Sequence, residues 1–278
     1  MPRHPSSLLA AVLGAVAVVL LGAAPVPSPV HVQPGAAPDG IVAWEPAVQH
    51  VTGTVGEPVA VDLALDHGGD HELLAHVAAR AVSVDPVDGP RATGRTGALR
   101  LAVDRIALRP GERGAFRAVA EIPARPTVVA VQARLDEDAS TGPLALVLLA
   151  PEGLEPADLR ATIALDGARA QVRVENASPF PVLVDLAVSS GTWLGARDDR
   201  QVGDVLVPAE GHRQLDVELS RGLGRRSAEV AVAQRGAAAE ATTRATATAW
   251  PPRTVWTLVG AALVLLAALT AVRVLRRS

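Results

Sequence analysis

The sequence predicts an all-β protein built as two tandem β-sandwiches, with a secretory segment before them and one transmembrane helix after them. Three observations predict it. From Ile41 to about Trp250 the dominant signal is two-residue alternation in short runs, broken every eight to twelve residues by Gly, Pro or Asp clusters, the pattern of strands joined by turns. No long amphipathic helical period interrupts that stretch. Both ends of the chain carry uninterrupted apolar runs of the kind that translocation machinery and bilayers recognise.

Residues 1–24 have the three-part layout of a signal peptide: Arg3 and His4, an apolar run from Leu8 to Leu21, then Gly22, Ala23 and Ala24. Residues 25–40 are rich in Pro, Ala and Gly and read as an extended linker. The first sandwich is expected over 41–150. Its strands follow Val59 to Leu65, Leu73 to Val84, Leu99 to Val103, Ile106 to Leu108, Phe116 to Ile122, Val129 to Leu135 and Leu144 to Leu149. Pro151 to Pro156 reads as the break between domains.

The second sandwich is expected over 157–250. Asp166-Gly167 is read there as a type I′ hairpin turn, followed by strands at Val172 to Val174, Val182 to Val188, Val205 to Val207, Leu215 to Leu219, Ala228 to Val232 and Thr242 to Ala249. The two units are alike in places: Leu65-Asp66-His67 parallels Val174-Glu175-Asn176, and Leu108-Arg109-Pro110 parallels Leu206-Val207-Pro208. We read these as an internal repeat. Residues 254–272 carry no charge and are long enough for a spanning helix, with Trp250 and Trp256 at its border. Residues 273–278 form a basic cytoplasmic tail holding Arg273, Arg276 and Arg277. The expected location is therefore the cell membrane, single-pass, with the ectodomain outside.

Composition narrows the function classes. The 278 residues carry a formal net charge of −3, with no Cys, no Lys and no Tyr, and Asn176 is the one asparagine. Disulfides and thiolate metal sites are excluded, and nothing in the overall charge favours a nucleic-acid partner. The excess of Ala, Val, Arg, Gly and Pro is that of a GC-rich bacterial genome.

The segment VRVENASPFPVLVDL, Val172 to Leu186, resembles the strand, Asn-containing turn and strand of pilus-chaperone-like immunoglobulin domains, and Leu108 to Glu112 resembles another piece of them. The layout from signal peptide through two such domains to a membrane helix is similar to the WxL-interacting surface proteins of Gram-positive bacteria. That resemblance implies two immunoglobulin-like folds, a first domain binding peptidoglycan and a second binding a partner or host protein. No binding residue carries over from it.

Several residue groups carry side chains suited to chemistry. Asp66, His67, Asp70, His71 and Glu72, with His76 nearby, are natural zinc, copper or nickel ligands, but a solvated hairpin loop made flexible by Gly68 and Gly69 is the better account of them, so no metal site is assigned. Asp136, Glu137 and Asp138, with Ser140 and Thr141, lack the spacing of a calcium loop. Ser189-Ser190-Gly191 has neither an elbow pattern nor an evident histidine, and Gly111 to Gly114 precedes no helix. Trp44 and Trp193 read as packing residues. No catalytic set and no cofactor is expected, and the protein is not expected to be an enzyme. The expected function is binding of a wall polymer or a surface-protein partner, with the polar loops Asp85 to Gly97 and Gly195 to Gly203 as first contacts. The alternatives are a chaperone-like assembly factor working by strand addition and an extracellular metal-binding protein.

Overall fold

Alternating apolar residues must bury one face of each strand, and the chain does so by stacking pairs of sheets. The structure is a computed structural model and describes residues 31–34, 42–135, 142–192, 197–220, 225–237, 242–249 and 259–266. It is all-β with several sheets. The chain divides into two compact units: Met1–Val82 with Ala92–Glu152, and Ser83–Arg91 with Gly153–Ser278.

The strands of the first part of the chain are β1 (His31–Pro34), β2 (Val42–Glu45), β3 (Val48–Gly53), β4 (Pro58–His67), β5 (Leu73–Asp85), β6 (Gly89–Arg95), β7 (Leu99–Arg100), β8 (Arg105–Leu108), β9 (Glu112–Glu121), β10 (Thr127–Arg134) and β11 (Leu144–Pro151). One sheet has the order β1-β9-β4-β2, with β7 also on β9. The other has the order β3-β11-β10-β5-β6, with β8 also on β5. Inward residues of the two sheets share one core. Val61, Leu63 and Leu65 of β4 and Phe116 and Ala118 of β9 meet Ala75 and Val77 of β5, Val129 and Val131 of β10, and Val147 and Leu149 of β11. The indole of Trp44 is buried edge-on against Phe116 at 6.2 Å, and its Nε1 donates to Pro143 O at 3.0 Å. Trp44 is a core residue, as the sequence indicated.

The second part holds β12 (Leu159–Asp166), β13 (Arg169–Asn176), β14 (Val182–Thr192), β15 (Arg197–Val207), β16 (Gly211–Glu218), β17 (Arg226–Gln234) and β18 (Thr242–Ala249). The sheets β12-β13-β16 and β15-β14-β17-β18 enclose a second core of Val172, Val174, Val184, Leu186, Val230 and Val232, among others. A bulge on β15, where Gly203 and Asp204 stand opposite the single β14 residue Asp185, shifts the register between Val184 and Leu186. The Asp185 carboxylate accepts from Arg235 at 2.9 Å and from Asp204 N at 3.2 Å.

Four expectations need correction. Asp85 to Gly97 is not a long polar loop: β5 runs to Asp85 and β6 starts at Gly89. Most of Gly195 to Gly203 is likewise strand, because β15 begins at Arg197. Both strands stand at sheet edges, where each face meets water and the apolar alternation that announces a strand is lost. The hairpin after β12 turns on Gly167-Ala168 rather than Asp166-Gly167, since Asp166 already pairs with Arg169. Gly167 has φ of +56° while Ala168 stays out of the left-handed region, the type II′ arrangement. Lastly, His31–Pro34 lies in the expected linker but pairs with β9 as the edge strand β1. The predicted signal peptide and the tail lie outside the described residues. Of the predicted span, 259–266 is helical and its remainder also lies outside. Among the described residues no helix is long and apolar enough to cross a membrane.

Candidate functional site

The two sandwiches turn the same corner in the same way. Where β4 leaves for β5, the buried His67 ring accepts from Gly69 N through Nδ1 at 3.4 Å and donates through Nε2 to His71 O at 2.6 Å. Where β13 leaves for β14, the buried Asn176 amide accepts from Ser178 N at 3.0 Å and donates to Phe180 O at 2.8 Å, adding Pro208 O at 3.0 Å. In each corner one side chain satisfies the N–H two residues on and the C=O four residues on. The parallel between Leu65-Asp66-His67 and Val174-Glu175-Asn176 is thus a shared turn device.

That device also decides the chemistry of the histidine loop. Both ring nitrogens of His67 are engaged by backbone, so neither offers a lone pair to a metal. Gly69 is there for room, because a Cβ on it would lie 2.5 Å from His67 Cε1. Asp66 is buried and ion-paired with Arg113 at 3.5 Å. Asp70 and His71 pair with each other at 2.5 Å in full solvent, which holds the Asp70 carboxyl below its ordinary value, chiefly through that hydrogen bond. His76 stands on β5, in the other sheet. Among the described residues no group of three His, Cys, Asp or Glu converges.

The remaining sequence candidates are dispersed. Ser189, Ser190 and Gly191 lie within β14 opposite Asp199, Asp198 and Arg197, and the described groove around them holds no histidine. Gly111, at φ +74°, closes the β8–β9 turn and donates to His67 O at 2.8 Å. Residues 136–141 and Trp193 lie outside the described residues. For strand addition, β11 has no free edge along Leu146–Leu149, being bonded there to β10 on one side and to β3 on the other.

The site that the sequence did not announce is a basic concavity on the outer face of the first unit's second sheet. Registered pairs His76↔Arg105 and His76↔Arg134 set three basic residues in one row across β8, β5 and β10. Cross-strand partners project to one face, so the next rows bring Ala78 opposite Gln132 and Arg80 opposite Ala130. Arg95 of β6 joins them, and together they line a depression of about 360 Å³ whose one carboxylate is Asp104. Gln132 is 7% exposed. The Nε atoms of Arg80 and Arg134 are buried and have no hydrogen-bond partner among the described residues. Among the described residues none of the four arginines makes an ion pair there, although elsewhere Arg113, Arg117, Arg200 and Arg235 do. Burial, with Arg134 and Arg95 beside it, pulls the Arg80 guanidinium below its ordinary value. What the arrangement can do chemically is hold an anion: it has donors, charge and partial exclusion of water, but no nucleophile poised with a base.

No family model matches the chain, and no curated protein matches it. Solved structures to which it is similar include the class 5 fimbriae chaperone CfaA, at 11% identity and TM-score 0.38, covering 76% of this chain and 100% of that one. A second is the CsuC–CsuE chaperone–tip adhesion subunit pre-assembly complex of Acinetobacter baumannii, at 8% identity and TM-score 0.42, covering 74% of this chain and 98% of that one. A red sea bream transglutaminase is similar at 11% identity and TM-score 0.25, over 89% of this chain and 34% of that one. The first two are pilus chaperones or their complexes. At these scores the likenesses carry no argument about activity.

Proposed function

We propose that the protein is a single-pass, membrane-tethered bacterial surface protein of the WxL-interacting type, whose two immunoglobulin-like sandwiches are displayed outside the cell to bind an anionic wall polymer or an acidic surface-protein partner. In this reading residues 1–24 are removed on export, 254–272 anchor the chain, and 273–278 remain inside. The protein is a binding module without a cofactor, and the domains meet within Pro151 to Pro156. The observation that carries it is the arginine concavity: four guanidinium groups gathered on rigid strands, with buried N–H groups and no ion-pair partner among the described residues. Such a cluster costs stability through like-charge repulsion, and a bound anion offsets that cost. The charge asymmetry around 254–272 supports the tether.

Protease added to intact cells tests it. The expected result is loss of the ectodomain with a tag after Ser278 spared. A tag that is also lost, or turnover of a substrate by the purified chain, overturns the reading. Capture of unfolded secreted subunits, independent of Arg80 and Arg134, favours the chaperone-like role instead.

A further inference from the structure

Resting on that reading of the first unit, we infer that the arginine concavity takes phosphate groups, carried in series by an anionic surface polymer, in preference to carboxylates. Four guanidinium groups face the one carboxylate of Asp104, an excess of three positive charges in about 360 Å³. A carboxylate and a phosphate linked within a polymer bring one charge each, so charge alone does not separate them. The carboxylate's acceptors lie in one plane, whereas phosphate oxygens are tetrahedral and accept from several directions. The donors are arranged for that: Arg80 and Arg134 stand on the neighbouring strands β5 and β10, while Arg95 and Arg105 come in from β6 and β8. The small side chain of Ala78 leaves the floor open between them.

Arginine here is not informative as a residue choice, because the chain has no Lys at all. Convergence is the informative part. Arg80 and Arg134, which line the recess, have buried Nε–H groups with no acceptor among the described residues, and a buried donor is unfavourable until an acceptor reaches it. A recess of this kind admits a thin polymer chain, whereas a bilayer surface meets a flat or convex patch better. Repeated phosphates along one chain also let neighbouring groups satisfy the floor and the rim together.

The test uses full-length protein in nanodiscs of neutral lipid, titrated calorimetrically with linear polyphosphate and with polyglutamate of matched charge. Vesicles containing phosphatidylglycerol form a third arm. Polyphosphate is expected to bind at least ten-fold tighter than polyglutamate, and to weaken at least ten-fold in the Arg80→Gln, Arg134→Gln double variant, whose melting temperature is expected to be no lower than that of the wild type. If that variant fails to fold, Ala78→Leu, which fills the floor and leaves every charge, is expected to give the same loss. Equal or tighter binding of polyglutamate overturns the inference, as does wild-type affinity in both variants or a preference for the vesicles. A chain that ignores polyphosphate yet binds intact cells through these arginines overturns the phosphate assignment alone. One that binds neither overturns the binding reading with it.

Discussion

His67 and Asn176 do the same work with different chemistry, and this equivalence makes a sharp prediction. Each is buried, each accepts from the backbone two residues on, and each donates to the carbonyl four residues on. His67→Asn is therefore expected to keep the first sandwich within about 1 kcal/mol of its original stability, because the amide presents the same acceptor and donor pair. His67→Ala removes the partner of the Gly69 N–H and of the His71 carbonyl in a half-buried corner, and the loss of two hydrogen bonds is expected to cost about 1–3 kcal/mol. Urea unfolding of both variants checks this, and equal losses would contradict the corner device. The parallel was legible in the sequence as a repeated strand-end tripeptide. Its meaning was not, since residue type alone does not tell a histidine that caps a turn from one that faces solvent or a metal until its ring nitrogens are placed.

At the scale of elements, legibility followed burial. β4 and β9 alternate buried and outward-facing residues over part of their length, while β10 and β11 are buried on both faces over Val129–Ala133 and Ala145–Ala150, so alternation announced the first pair and continuous apolar runs the second. In β15 only the last three residues, Val205 to Val207, are buried, and Arg197 to Gly203 read as part of a polar loop. The arginine concavity was hidden for a related reason. His76 and Arg80 on β5, and Gln132 and Arg134 on β10, each show outward-facing periodicity, but only the registered pairing Arg134↔His76 and Ala130↔Arg80 places them together. Turn geometry was half legible. The glycine in Asp166-Gly167 marked a hairpin, yet the positive φ falls on Gly167 as the first central residue. A β-branched residue resists that conformation, so Gly167→Val is expected to destabilise the second sandwich by at least about 1 kcal/mol. Asp166→Ala is expected to change stability little. Thermal unfolding of the two variants separates this turn from one centred on Asp166, which would reverse their order.

For the whole molecule, the account joins a sequence-level expectation of export and anchoring to a site seen only in three dimensions. Net charge is −3, so an anionic partner is recruited by the local field of one face rather than by the protein as a whole. That field is screened by salt over about 10 Å at 0.1 M. The most direct test is therefore binding of the purified full-length chain to intact cells of its own species at rising salt, for the wild type, for Arg80→Gln with Arg134→Gln, and for Arg160→Gln on β12 of the second unit. The account predicts saturable, salt-sensitive binding that falls at least ten-fold in the double variant and is retained by Arg160→Gln. Binding that is indifferent to Arg80 and Arg134, or lost equally in all variants, would contradict it.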